Sequence, residues 1–178
     1  MKSPFIRLSF SLLVLTSFFS CQEDPLEEIS GSLNINLKES LESWESLRSV
    51  EGNSYYYVAR QILGFNFSAS TKITVRDGEV VERSCDFFSL NQQGEMVKDS
   101  SYIESGSDLG MNIQGSPLRN IDEIYKSCSE TYIFADPNRY EIVFETFENG
   151  ILKDCGFTYT HCFEECFLGV RLTEFEWL

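Results

Sequence analysis

The stretch from Ile73 to Arg83, which reads ITVRDGEVVER, constrains the fold of this chain more than any other segment. β-Branched side chains on both sides of the Asp77-Gly78 pair favour two strands, and an Asp-Gly pair supplies the positive φ angles that a tight hairpin turn requires. The second arm is expected to continue to about Leu90. The sequence therefore predicts a β-hairpin around which the other elements assemble.

Apolar side chains at helical spacing predict two amphipathic helices, one at Asn36–Val50 and one at Asn120–Cys128. Each begins with an asparagine that is followed three residues later by a glutamate, Glu39 or Glu123, which is the pattern of a capping box. The expected apolar faces consist of Leu37, Leu41, Trp44 and Leu47 in the first helix, and Ile121, Ile124, Tyr125 and Cys128 in the second.

The other apolar segments predict strands. One strand lies within residues 53–67, where the aromatic run Tyr55–Val58 opens it and Gly64 marks a bulge or bend. Together with the hairpin it makes an antiparallel meander. The second half of the chain predicts three more strands, with an Asn-Gly hairpin turn at 149–150 between the first two. These strands are Tyr140–Phe147, Ile151–His161 and Phe167–Trp177.

Residues 91–116 break this pattern, because glycine, serine, asparagine and glutamine dominate there. We expect a long, mobile loop with a short strand near Met96. The expected order of elements is then α-βββ-α-βββ. Successive antiparallel strands with segregated helices indicate an α+β fold, in which two helices pack on a mainly antiparallel sheet. Residues 33–178 are long enough to form one such domain with its own core.

Residues 1–20 have the features of a lipoprotein signal peptide. Lys2 and Arg7 form a positive n-region, Leu8–Phe19 is an apolar run too short to span a bilayer, and a small residue precedes Cys21. This arrangement resembles a bacterial lipobox and predicts that Cys21 becomes the diacylated first residue of the mature chain. The alternative is an ordinary signal peptide cut near the same place, which leaves Cys21 as an unmodified thiol.

An acidic, disordered tether is predicted at residues 21–32, because residues 22–28 contain four carboxylates and no apolar periodicity. It acts either as a spacer or as an export signal that brings a lipoprotein to the outer surface. Removal of the signal peptide takes away two basic residues and no acidic ones, which leaves 12 basic and 28 acidic residues. Such an excess of negative charge argues against binding to nucleic acid or to anionic lipid.

Five cysteines remain besides the lipobox cysteine, and an odd number leaves at least one thiol outside intramolecular bridges. A hairpin that closes around residues 163–165 would place Cys162 opposite Cys166, within disulfide reach. The same register places Cys155 opposite Thr173, so that Cys155 needs Cys85 or Cys128 as its partner. In the competing arrangement, Cys162 or Cys166 bonds to Cys85 or Cys128.

His161 is the single histidine, and it lies among three of these cysteines in the pattern C-x5-H-C-x3-C. A zinc site is disfavoured, because His161 and Cys162 would point to opposite faces of a strand and Cys155 would lie about 20 Å from His161. Nothing places a nucleophile beside His161, and the chain has no phosphate-binding loop and no redox C-x-x-C. We therefore expect no metal, no cofactor and no enzymatic activity.

Four segments of the chain resemble a family of uncharacterised bacterial lipoprotein domains. These segments are the helix that bears Trp44, the strand Tyr55–Val58, ITVRDGEVV at 73–81 and NIDEIYKSC at 120–128. The resemblance covers most of residues 40–160 and implies a lipid-anchored protein of the cell envelope. The family has no established activity, so the resemblance assigns no catalytic residue.

The sequence as a whole favours a lipid-anchored α+β domain of the cell envelope, held in the outer membrane through Cys21 and exposed at the surface if the acidic tether is an export signal. We expect a binding or structural module that has an envelope protein as its partner. The alternatives are a protein inhibitor of an enzyme, by analogy with small α+β inhibitors, and an envelope hydrolase whose site carries no recognisable motif.

Overall fold

The computed structural model describes residues 36–162 and 166–178. The predicted signal segment 1–20, Cys21 and the tether predicted to residue 32 lie outside the described residues. Within the described part, two helices pack on a seven-stranded antiparallel sheet, so the predicted α+β class is confirmed. Neither helix described has the length and apolar content that a membrane-spanning helix requires.

The elements, in chain order, are α1 Leu37–Glu51, β1 Tyr55–Gly64, β2 Phe67–Arg76, β3 Glu79–Leu90, β4 Met96–Ser105, α2 Ile121–Glu130, β5 Tyr140–Thr146, β6 Leu152–Tyr159 and β7 Phe167–Trp177. The strands lie in the spatial order β4-β3-β2-β1-β7-β6-β5, and every neighbouring pair is antiparallel. Helix α1 precedes the first strand, and α2 lies between β4 and β5.

The central hairpin forms as the sequence predicts. Asp77 and Gly78 have φ angles of 50° and 87°, and Arg76 pairs with Glu79 across the turn. Positive φ at both turn positions explains why an Asp-Gly pair stands here. The Asn120 side chain donates a hydrogen bond through Nδ2 to the Gly78 carbonyl at 3.0 Å, so the hairpin turn contacts the residue directly before α2.

The two predicted capping boxes have different outcomes. In α2 the box is complete, because the Asn120 side chain accepts from the Glu123 amide and the Glu123 carboxylate accepts from the Asn120 amide. In α1 the Asn36 side chain makes no capping bond, so that part of the prediction was wrong. The apolar face of α1 is narrower than predicted, since Trp44 is fully buried while Leu41 is more than a third exposed.

The loop predicted at residues 91–116 was wrong over Met96–Ser105, which form the full ten-residue strand β4. This strand lies at the edge of the sheet, and most of its side chains are exposed. An edge strand with solvent on both faces shows no hydrophobic alternation, which is the signal that sequence analysis needs. The order is therefore α-ββββ-α-βββ.

The register predicted between the last two strands was also wrong. Cys155 lies opposite Val170 rather than Thr173, so the two strands are shifted by three residues from the expected pairing. The predicted register assumed that the hairpin ladder ran up to Cys162 and Cys166, but the observed ladder ends at Thr158 and Phe167. The connection between β6 and β7 is therefore longer than the tight hairpin turn that was assumed, and a connection of this length does not fix the register of the two strands.

The core lies between the helices and one face of the sheet. Alternate residues of β1 show this directly, because Tyr55, Tyr57 and Ala59 are buried while Tyr56 and Val58 between them are partly exposed. Trp44 of α1 is fully buried, and its ring lies 5.3–6.1 Å from three other rings. These rings are Tyr55, Phe175 and Trp177.

Candidate functional site

Strand β7 changes partner halfway along its length. Its second half pairs with β1, from Tyr55 opposite Trp177 to Ala59 opposite Leu172, and its first half pairs with β6. The change occurs at a bulge, because Val58 faces Glu174 and Ala59 faces Leu172, which leaves Thr173 as an extra residue. A bulge bends the strand that carries it. The ladder between β1 and β7 consequently stops after Ala59.

Beyond that point the two strands run on without pairing to each other. Residues 60–64 of β1 pair only with β2, and residues 167–171 of β7 pair only with β6. We call the gap between these two segments the β1–β7 split. The inner edges of both segments present backbone N–H and C=O groups to the gap, and backbone polar groups of this kind require a partner or water.

Two adjoining cavities of about 130 and 240 Å³ occupy the split. They share the walls formed by Arg60, Gln61, Gly169 and Arg171, so they form one continuous cleft. The smaller cavity extends towards the helices, where Tyr57, Ala59, Ile124 and Tyr132 and the segment Ser116–Arg119 form its floor. The larger cavity opens between Ile62 and Leu63 on one side and Phe167 and Leu168 on the other.

The charge of the cleft is opposite to that of the chain. The described residues that line it include Arg60, Arg119 and Arg171 and no aspartate or glutamate. The chain as a whole has 28 acidic residues against 14 basic ones, so a lining with arginines alone departs strongly from the average composition. Guanidinium groups bind carboxylates and phosphates through paired hydrogen bonds. The cleft is therefore suited to an anionic group.

Two contacts fix the position of Arg171 at the mouth of the cleft. Its Nε lies 3.3 Å from Asp154 Oδ2, and its guanidinium carbon lies 4.5 Å from the centre of the Phe167 ring. Asp154 is almost completely buried, and burial raises the pKa of its carboxyl group, while the charge of Arg171 acts in the opposite direction. A cation over an aromatic face adds to this contact.

Two facing glycines make room for the Phe167 ring. A Cβ atom added at Gly156 or Gly169 would lie 2.6 or 2.9 Å from Phe167 Cζ, closer than carbon atoms approach in folded proteins. Gly169 also has a φ angle of 158°. The backbone lies closer still, with Leu168 O nearest to a Cβ at Gly156 and Cys155 O nearest to one at Gly169. Larger residues at either position would therefore force β6 and β7 apart and displace the Phe167 ring that Arg171 contacts.

The floor of the cleft is held by hydrogen bonds to its backbone. Arg83 Nη1 donates to the Ser116 carbonyl at 3.0 Å, and the Ser116 amide donates to Thr71 Oγ1 at 2.9 Å. The Tyr57 hydroxyl donates to the Arg119 carbonyl at 2.6 Å. Three strands of the sheet therefore fix Ser116, the last residue of the predicted mobile loop, and Arg119, which follows that loop.

A buried ion pair between β3 and β4 anchors the part of the same loop that precedes Ser116. Arg83 Nη2 lies 2.5 Å from Glu104 Oε1, and both side chains are almost fully buried. Glu104 also accepts hydrogen bonds from the amides of Gly110 and Asn112 and from the Asn112 side chain. Burial alone raises the pKa of Glu104, but these hydrogen bonds and the charge of Arg83 outweigh it and lower the pKa to about 2.

Large apolar side chains surround the open end of the split. They are among the more exposed apolar residues of the chain and belong to β1, β2, the turn between them and the start of β7. We call this group the apolar rim; its members are Leu63 at 52% exposure, Phe65 at 84%, Phe67 at 56% and Leu168 at 60%. Several exposed apolar residues at one end of a sheet are typical of an interaction surface.

The structure contains two disulfides. Cys162 is bonded to Cys166, the pair named from the sequence, and Cys155 is bonded to Cys128, one of the two partners left open. The latter bridge links β6 to α2. Cys85 is free and buried, and burial raises the pKa of its thiol. Lipid attachment at Cys21 concerns a residue outside the described part.

The described residues show no cluster of three or more histidine, cysteine or acidic side chains that could hold a metal ion. His161 is exposed, and its ring lies 6.1 Å from that of Tyr159. All three cysteines of the pattern around His161 are bonded in disulfides: Cys155, Cys162 and Cys166. The structure therefore does not bring these residues together as a ligand set.

Sequence analysis missed the three arginines of the cleft. They are distant in sequence and lie on β1, before α2 and on β7, so only the fold brings them together. One local signal existed: Gly64 was interpreted as a bulge or bend, and the register of β1 does shift between Ile62 and Gly64. Gly169 within the final predicted strand was a second signal of an irregular backbone.

Comparisons with models of protein families, with curated proteins and with solved structures found no match to this chain.

Proposed function

We propose that this protein is a lipid-anchored binding module of the cell envelope and not an enzyme. It binds its partner at the β1–β7 split. The observation that carries the proposal is the split itself. It combines two strand edges without a common partner, a described lining that contains three arginines and no acidic residue, and the apolar rim at its mouth. Arg171 pairs with Asp154 outside that lining, and Arg60 and Arg119 have no such carboxylate among the described residues.

The placement of α1 supports an outward-facing site. Near the start of this helix, Ser40 donates a hydrogen bond to the carbonyl of Gly150 in the turn before β6. That turn lies at the end of the sheet opposite to the split, because β6 reaches Phe167 only at its far end. The open end of the split, where Thr158 faces Phe167, therefore lies about one strand length, roughly 26 Å, from the turn that α1 contacts. An anchor that reaches the domain at α1 leaves this open end on the far side of the domain.

Anchoring rests on the sequence features before and at Cys21. Two or three acyl chains hold a protein stably on a bilayer, whereas one chain gives only marginal binding. The excess of acidic residues in the rest of the chain disfavours contact between the domain and anionic lipid. The domain is then free to present the split to other molecules of the envelope.

A photo-crosslinking amino acid placed at Leu63 tests both parts of the proposal in living cells. We expect a crosslinked adduct in the membrane fraction from position 63, which lines the cleft, and none from the control position Asp99, which is exposed on β4. The Cys21→Ser variant is expected in the soluble fraction. Equal adducts from positions 63 and 99 contradict binding at the split, and a Cys21→Ser variant that stays on the membrane after a salt wash contradicts the anchor.

A further inference from the structure

We propose that the β1–β7 split binds an extended acidic peptide segment of a partner protein, which enters the gap as an additional strand and places its carboxylates beside Arg60 and Arg171. This inference rests on the proposed function, and it specifies the chemistry of the partner.

The backbone of the split favours an extended occupant. Residues 60–64 and 167–171 are antiparallel strand segments that each pair on the outer side only. An inserted strand would hydrogen-bond to both inner edges, as in other cases in which a peptide completes a sheet. Each segment has five residues, which corresponds to roughly 17 Å of extended peptide.

The side chains of the split favour an acidic occupant. Arg60 is exposed, and no hydrogen bond or ion pair joins it to another described residue. Arg119 contacts Ser127 Oγ through Nη1 at 3.3 Å, which is a long hydrogen bond for a guanidinium group. The described lining residues include no carboxylate, and Asp154, which pairs with Arg171, lies outside the lining. A carboxylate of the peptide would therefore supply the counter-charge that Arg60 does not have among them.

The two faces of the split favour a peptide in which acidic and apolar residues alternate. Arg60 and Arg171 lie on the sheet face opposite to the helices, because their neighbours Ala59 and Leu172 point into the core. Val170 packs against the core on the helix side, and Leu168, two residues earlier, shares that face. Arg119, which bonds to Ser127 of α2, lies on the helix side too. Since successive residues of a strand point to opposite faces, the preferred peptide alternates acidic and apolar residues.

The test measures fluorescence anisotropy with the full chain in detergent and a labelled peptide, Gly-Glu-Val-Glu-Val-Glu-Gly. We expect saturable binding that weakens with added salt, no binding of the lysine counterpart, and at least tenfold weaker binding of a peptide with alternate backbone nitrogens methylated. Arg60→Gln should weaken binding at least tenfold. Arg76→Gln, an exposed arginine at the other end of the sheet, should change binding less than twofold.

The inference is overturned by equal binding of the lysine peptide, by no effect of backbone methylation, by equal effects of Arg60→Gln and Arg76→Gln, or by binding of free glutamate as tight as that of the peptide. Tighter binding of a peptide with the sequence of residues 22–28 also overturns it, because the occupant would then be the chain's own acidic segment. If these peptides fail while the crosslinked adduct at position 63 persists, strand addition is wrong and the proposed binding function stands.

Discussion

The two ends of the β1–β7 pair are packed in different ways. At one end, Tyr55–Ala59 pair with Leu172–Trp177 beneath α1, and the aromatic rings pack around the fully buried Trp44. At the other end, residues 60–64 and 167–171 separate, and arginines and exposed apolar side chains replace the aromatic cluster.

This difference indicates which end of the β1–β7 pair stabilises the fold and which end can bind a partner. The aromatic end buries large rings, and burial of such rings contributes most of the stability that side chains give to a fold. The split end exposes large apolar side chains and leaves strand edges without a common partner, so that water or an occupant must satisfy their backbone groups. We therefore expect binding at the split end, where the packing between β1 and β7 ends.

The largest expected effect comes from truncation at the aromatic end. Trp44→Ala should lower the free energy of unfolding by about 4–5 kcal/mol, because it removes a fully buried indole and its hydrogen bond to Asp122. Leu63→Ala at the split end should change it by less than about 0.5 kcal/mol. Urea unfolding followed by circular dichroism measures both. Similar losses at the two positions would show that the ends are packed alike.

A smaller effect is expected from the ion pair that holds the floor of the cleft. Glu104→Gln should cost about 3 kcal/mol, because it leaves the buried Arg83 without a counter-charge. The matched control is Asp86→Asn, which breaks the exposed pair with Lys98 on the same two strands and should cost at most about 1 kcal/mol. Equal costs at the two sites would contradict the role given to burial.

The same pair gives a pH dependence with a defined sign. The pKa of Glu104 is about 2 in the folded chain, below its ordinary value of 4.5, so its ionised form stabilises the fold fully above pH 4.5. This stabilisation is lost progressively as the pH falls from 4.5 towards 2. The gap in unfolding free energy between wild type and Glu104→Gln should therefore narrow between pH 5 and pH 2.5. A constant gap over this range would contradict the assignment.

Features that depend on neighbours in sequence were predictable. The Asp77-Gly78 turn, the capping box at Asn120 and the bounds of β7 all follow from local residue chemistry, and the structure confirms them. The strand β4 escaped prediction because an exposed edge strand need not alternate apolar with polar residues.

Features that depend on distant contacts were not predictable. The register of Cys155 against Val170 follows from a longer connection than the sequence analysis assumed. The bulge at Thr173, which opens the split, has no glycine or proline to signal it. The three cleft arginines come from separate elements, and a lone arginine in a sequence carries no indication of the other two.

Hydrogen exchange of backbone amides tests the central claim, that β1 and β7 separate after Ala59, most directly. In the free protein we expect strong protection throughout Tyr55–Ala59 and rapid exchange of those amides in residues 60–63 and 168–171 that face the split, since only alternate amides there bond to β2 or β6. Addition of the Glu-Val peptide should protect these amides. Unbroken protection from Tyr55 to Leu63 in the free protein would show that the ladder closes, and it would contradict the account.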